Sequence, residues 1–425
     1  MKRLLSGVVA FSVLLSLVSC TNEPKIINQD TVSTLRFSWW GKDDRNKYIL
    51  DGIDIFENQN TNISINPEYS DFEGLKTRMD VEIYSNTQAD VMQLNYNWLD
   101  EYAQQDNALY NIYELSEYVD ISKFSKEVLS YGSKDGKLYG IPVSLDAVTF
   151  YYNKTLYDSY GLELPETWED LFRAADVMKS DEVYPLSLNE LSCWICCAAY
   201  AEQVTGIAMY DENGKFQYTS EELKLMLDFY VSLVKQKVIK PVSEFSRRDF
   251  QNCITGGIAV WISEGSYYYS SISNEGYNIK VGDYPIMESS KAFGWYYKPS
   301  AFYSIKKTTE YPEAAASLLN YLINSEEMAL NQGTSFGVPL SAAAVETLEA
   351  RDMLKGLSVD ANKKIEEHSQ NSQINTIKLM NPNLENQDIA RLFSTACDSL
   401  YHQKINSQMA SLNLYNEIIE YLSGK

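Results

Sequence analysis

Two adjacent tryptophans, Trp39 and Trp40, are followed almost at once by Asp43, Asp44 and Arg45. Further along, Tyr96, Asn97 and Trp98 stand together, Trp194 sits among small residues, and Glu264 comes shortly before Tyr267. Flat rings beside carboxylates, amides and a guanidinium suit a polyhydroxylated ring. The aromatic faces cover its C–H surface, and the polar edges pair with its hydroxyls. Each set also has a plainer use. With 7 Trp, 32 Tyr and 15 Phe in the chain, aromatic loop residues arise without any ligand. Asp43 and Asp44 suit a solvated turn that pairs with Arg45, Tyr267 suits packing, and Trp194 suits packing as well as contact. Polar neighbours at strand ends favour contact for Trp40, Trp98 and Trp295.

Motifs for bond-breaking chemistry fail on context. Gly333-Thr334-Ser335-Phe336-Gly337 has the spacing of a nucleophile elbow, but it follows a helical run and leads into Val338-Pro339, so it reads as a loop. The two histidines, His368 and His402, lack metal-ligand spacing in C-terminal helical sequence. Cys193, Cys196 and Cys197 have no second pair and no nearby His, and read as a buried helix face of small, soft side chains. Asp211 to Gly214 reads as a turn without later calcium ligands. No catalytic residue, cofactor or metal is expected. With 58 acidic residues, a carboxylate pair for glycoside hydrolysis stays open.

The elements that must hold these groups alternate. Residues 34–39, 62–66 and 89–94 read as strands, and 47–58 as a helix with Ile49, Ile53 and Phe56 on one face. Strands separated by helices imply parallel pairing in an α/β domain, with binding groups on the loops after the strands' carboxyl ends. Trp39, Trp40, Tyr96 and Trp98 occupy such positions, Trp194 follows a strand near 184–188, and Glu264 and Tyr267 follow one at 257–262. Thr167 caps a helix carrying Leu171, Ala175 and Met178, and Thr219 with Glu222 forms a capping box. Residues 301–305 form another buried strand, and Pro312 opens a further helix. From 341 onward the pattern is helical, ending on an amphipathic segment around Met409, Leu412, Tyr415, Ile419 and Leu422.

A chain of 425 residues exceeds what one core usually serves, so two domains are expected. The formal net charge of −22 repels nucleic acid and anionic headgroups. At the N-terminus, Lys2 and Arg3 precede an apolar run over 4–18, which is short of the roughly 20 residues of a spanning helix. Leu17-Val18-Ser19-Cys20 resembles a bacterial lipobox. That implies a signal peptide over 1–19, diacylglyceryl transfer to Cys20, and a polar tether over 20–30.

FYYNKTLYDSYGLELPETWEDLFRAADVM from Phe150, DVMQLNYNWL from Asp90, GIAVWISEG from Gly257, FGWYYKPSAFYSIKKTTEYPEAAASLLNYL from Phe293 and FGVPL from Phe336 occur in one order. Together they resemble the family 1 extracellular solute-binding proteins, the group that includes maltose-binding proteins. The resemblance implies an α/β, two-lobed periplasmic-binding-protein-like fold with three crossovers and a central ligand cleft. Crossovers are expected at 143–147, 295–300 and 333–339. The lobes would then be 31–143 plus 297–334, and 147–295 plus 338–425. Gly294, Gly333 and Gly337 fall where a hinge needs backbone freedom. The same resemblance puts an acidic ligand contact at Asp146 and starts the second crossover at Trp295.

The implied function is capture of a carbohydrate, an oligosaccharide by expectation, and delivery to ABC permease subunits. The protein would be a monomer on the extracytoplasmic face, held to the membrane by a lipid at Cys20, with no nucleic acid partner. Two other readings stay open: a glycan-degrading lipoprotein, and a sensor subunit that presents bound ligand to a membrane kinase.

Overall fold

A computed structural model of the chain describes residues 32–265, 275–370 and 376–424. Cys20, the signal and tether segments, and Tyr267 lie outside the described residues. Two five-stranded sheets carry the fold. Along the chain the strands are β1 (Ser33–Trp40), β2 (Ile63–Ser70), β3 (Val91–Leu94), β4 (Ser133–Lys134), β5 (Lys137–Leu138), β6 (Ile141–Pro142), β7 (Leu145–Asn153), β8 (Gly257–Trp261), β9 (Ile279–Val281), β10 (Tyr296–Pro299), β11 (Phe302–Ile305) and β12 (Lys378–Leu379).

The first sheet has the order β2-β1-β3-β11-β6. Strand β1 pairs in parallel with β2 and β3, whereas β11 runs antiparallel to β3 and β6. Leu35, Phe37 and Trp39 alternate along β1 to one face and are fully buried. They pack with Ile49, Ile53 and Phe56 of the helix Asp43–Gln59, and with Leu318, Leu319 and Leu322 of Pro312–Asn324. The helix pattern read from the sequence is therefore the first lobe's core.

The second sheet is built on β7, which pairs antiparallel with β8, β9 and β10, and β10 adds β12 in parallel. Helices Trp168–Met178, Glu190–Thr205, Ser220–Lys235, Gln387–Tyr401 and Ser407–Ser423 supply much of its cover. The anticipated capping box forms at Thr219 with Glu222, and the Thr167 N-cap is completed into a second one by Asp170. Among the described residues no helix is long and apolar enough to cross a membrane.

The chain passes between the sheets at Val143 and Ser144, and again at Ser300 and Ala301. The second passage falls after β10, so residues 297–299 pair within the second sheet and not the first. The third passage also differs from expectation. The helix Ala342–Ala350 packs back on Glu326–Gln332 and Pro312–Asn324 of the first lobe, and only Leu357–Ser369 lies against β7 and β9. Ala344 and Leu348 are the buried residues that hold it there. Residues 333–340 instead form the third strap of the hinge. Leu340 N–H donates to the Val143 carbonyl at 3.1 Å, and Ser144 bridges to Pro339.

Of the three glycines linked to a hinge, Gly337 is at it. Its φ is +90°, and a Cβ there would lie 2.6 Å from Ser144 Oγ. Gly294 serves packing inside the second lobe, where a Cβ would meet the Ala199 carbonyl oxygen at 2.5 Å. Gly333 ends the helix Glu326–Gln332.

Candidate ligand site

Asp146 enters β7 directly after the first passage and faces Lys298 across the β7–β10 pairing. Both are buried, at 2% and 3% exposure. Ser263 donates its hydroxyl to Asp146 Oδ2 at 2.6 Å and its backbone N–H to Oδ1 at 3.4 Å. Burial pushes the Asp146 carboxyl up to about 6, against the opposing pull of the Lys298 charge and the Ser263 hydrogen bonds. Lys298 Nζ donates to Glu385 Oε1 and stands 4.3 Å from the centre of the Trp261 ring. Glu385 Oε2 accepts from Asn95 Nδ2 at 3.3 Å, and this Asn95 amide also donates to Asn97 Oδ1 at 2.7 Å. Glu264 is partly buried. Burial first, and then the Asp146 charge, raises its pKa, while Arg247 and Lys298 pull the other way.

This cluster joins the lobes. Asn95 precedes, and Tyr96 opens, the helix Tyr96–Ala103 after β3 in the first lobe, and Lys298 and Asp146 come from the second sheet. Glu385 comes from the turn Pro382–Glu385 near the C-terminus. Tyr96 strengthens the link by donating its hydroxyl to the Met380 carbonyl at 2.9 Å. The floor can offer hydroxyl acceptors at Asp146 and donors at Lys298 and Asn95, the pairings a sugar edge requires.

An aromatic wall rises from the carboxyl ends of β1 and β3. Trp40 makes edge-to-face contacts with Phe72 at 5.5 Å, Trp98 at 5.6 Å and Phe336 at 6.4 Å between ring centres. Trp40 and Phe72 are partly exposed, whereas Trp98 and Phe336 are buried beneath them. The Arg45 guanidinium lies 3.9 Å above the Phe336 ring, and Asp44 is exposed in the first turn of its helix.

Three of the tryptophans expected to touch ligand pack within the protein in this structure. Trp39 is fully buried, with its indole N–H donating to Asn46 Oδ1 at 3.0 Å and its ring stacked on Tyr69. Trp194 donates to the Leu384 carbonyl at 2.9 Å and packs on Phe393, so it fixes the segment that delivers Glu385. Trp295 donates to the Pro285 carbonyl at 2.9 Å within a cluster of Phe150, Trp168 and Tyr284. All three rings are buried against protein in this structure. Trp98 supports Trp40 from below, and Tyr96 is committed to Met380. Asn95, Trp261, Ser263, Lys298 and Glu385 were not anticipated. Asn95, Trp261 and Ser263 could have been found from their places at strand ends, but nothing in the sequence near Glu385 marks it.

Cys193, Cys196, Cys197 and Cys397 are buried free thiols, and Cys253 is a partly buried one. Burial holds Cys196, Cys197 and Cys397 well above the usual thiol range. Among the described residues no group of His, Cys, Asp or Glu is arranged to hold a metal ion.

Similarity to known proteins follows this geometry. A periplasmic solute-binding protein from Pectobacterium atrosepticum superposes with a TM-score of 0.85 at 25% identity, covering 92% of this chain and 99% of that one. A periplasmic oligogalacturonide-binding protein from Yersinia enterocolitica, solved with digalacturonic acid, gives 0.83 at 28% identity over 92% and 99% of the two chains. These neighbours are two-lobed, and so is this fold. A putative binding protein of Brucella abortus is 26% identical over 236 residues, 53% of this chain and 56% of the relative. The chain thus spans about half the length of the curated relatives it matches. Residues 42–329 match the family model for bacterial extracellular solute-binding protein, and the chain belongs to that family.

Proposed function

We propose that the chain captures a carbohydrate on the extracytoplasmic side of the membrane and delivers it to the permease of an ABC importer. The observation that carries this reading is the polar floor of Asp146, Lys298, Glu385 and Asn95 at the junction of the lobes, together with the aromatic wall topped by Trp40. The oligogalacturonide ligand of the Yersinia protein supports the same class. A sugar ring stacks on Trp40 and Phe72, Asp146 accepts from its hydroxyls, and Lys298 and Asn95 donate to them. Since these groups come from both lobes, a ligand touching all of them favours the closed arrangement.

The protein acts as a binder and not as a glycan-cleaving enzyme. The family matched over residues 42–329 is one of solute-binding proteins, which supports this reading. Lipid attachment at Cys20 and a monomeric state complete the proposal. Thermal-shift screening against mono- and oligosaccharides, followed by calorimetry, tests it, because a ligand bound at 100 times its Kd stabilises by about 2.7 kcal/mol. X-ray scattering should show a smaller radius of gyration with ligand. Release of reducing ends from an oligosaccharide, without a stable complex, would favour the enzyme instead.

A further inference from the structure

Lys298 is the ammonium group at the floor, and its charge is already matched. Glu385 takes it through one carboxylate oxygen and holds Asn95 through the other, while Asp146 faces it across the sheet. Asp146 and Glu385 are thus both set against the Lys298 ammonium. Arg45 stands apart, over the Phe336 ring. A ligand carboxylate brought to this floor would find the Lys298 ammonium already paired with Glu385 and would face the Asp146 and Glu385 carboxyls at low dielectric, where like charges repel most strongly. Hydroxyls meet no such cost and find both donors and acceptors. Glu385 also lies outside residues 42–329, the stretch matched to the family model, so that match assigns it no role.

We propose that Glu385 is a specificity-determining residue: by neutralising Lys298 it commits the site to uncharged saccharides and against uronides. This rests on the carbohydrate reading above and goes against the acidic ligand of the Yersinia protein. The Lys298–Glu385 pair is tied to the first lobe through Asn95, so the charge match is made where the lobes meet.

Calorimetric titration with matched pairs of oligosaccharides, galactosides against galacturonides and glucosides against glucuronides, tests this on the full-length protein and on Glu385→Gln. The wild type should bind the neutral member of its best pair at least tenfold more tightly. Glu385→Gln keeps the shape but frees the ammonium, and should narrow or invert that ratio by at least tenfold. Adding Lys298→Met to Glu385→Gln should abolish the gain for the uronide. A purely structural role for Glu385 would weaken both members alike and leave the ratio unchanged, which would overturn the proposal. So would a wild type that prefers the uronide, a result that needs no variant to fold and leaves the carbohydrate reading intact. Failure of every saccharide to bind would instead remove the carbohydrate reading, and this proposal with it.

Discussion

Ser144 Oγ lies 2.6 Å from Ser300 Oγ, so a hydroxyl from the first passage between the lobes bonds directly to one from the second. The same Ser144 hydroxyl reaches the Phe336 carbonyl, and Ser300 N–H donates to the Ser144 carbonyl at 2.9 Å. Three separated stretches of chain therefore meet on one buried serine. Gly337→Ala should lower stability by about 1–3 kcal/mol, since it forces a Cβ against Ser144 Oγ at a left-handed φ. Urea unfolding measures this. Ser144→Ala in the same background should not restore the loss, since the Cβ it keeps would still lie 2.8 Å from the new methyl.

Trp40 and Trp295 should separate cleanly. Trp40→Ala removes a partly exposed platform and should weaken sugar binding by about 1–3 kcal/mol with a small change in melting temperature. Trp295→Ala opens a cavity in the second lobe's core and should cost about 3–5 kcal/mol of stability. Calorimetry and thermal melts, read side by side, decide whether the platform has been assigned to the right ring.

Asp146 should make stability depend on pH between about 4 and 6. Its carboxyl is raised in the fold from the ordinary 3.8 to about 6, so the folded state holds the proton more tightly than the unfolded chain. The resulting stabilisation is complete below the unfolded pKa and is lost as pH rises through about 6, amounting to at most roughly 3 kcal/mol. Asp146→Asn should flatten this slope in urea unfolding measured from pH 4.5 to 7.5. An unchanged slope would mean that the carboxyl is solvated in solution.

Cys20→Ala should move the protein from the membrane fraction to the soluble fraction without altering its melting temperature. Mass spectrometry of the wild-type N-terminus checks the cause. An unmodified Cys20 in a soluble wild type would dismiss the anchor.

Much of the framework was legible because it rests on local rules. The caps at Thr167 and Thr219 and the Pro312 start follow from backbone donors that need partners, and all three are present. The binding residues were less legible because burial is set by the whole fold. Trp39 and Trp40 are neighbours in sequence, yet alternation along β1 sends one into the core and leaves the other partly exposed. Lys298 was hidden within a stretch read only as a crossover, and Glu385 reaches the floor through Tyr96–Met380 and Trp194–Leu384 contacts between distant parts of the chain. No periodicity records such pairings. The third passage was misplaced for a similar reason, since the loop at Gly337 looks like a departure from the first lobe, while Ala344 and Leu348 return the chain to it.

The five unpaired thiols have a practical consequence. Four are sealed in the interior, burial opposes thiolate formation at Cys196, Cys197 and Cys397, and the fifth, Cys253, is only partly covered. Among the described residues no disulfide cross-links the fold, which should assemble equally well with or without a thiol oxidant present. Unfolding exposes all five sulfurs together, and in air they can pair wrongly before the chain recloses. Without a reductant, melting then becomes irreversible, and what a heating scan records is a rate of escape from the native state.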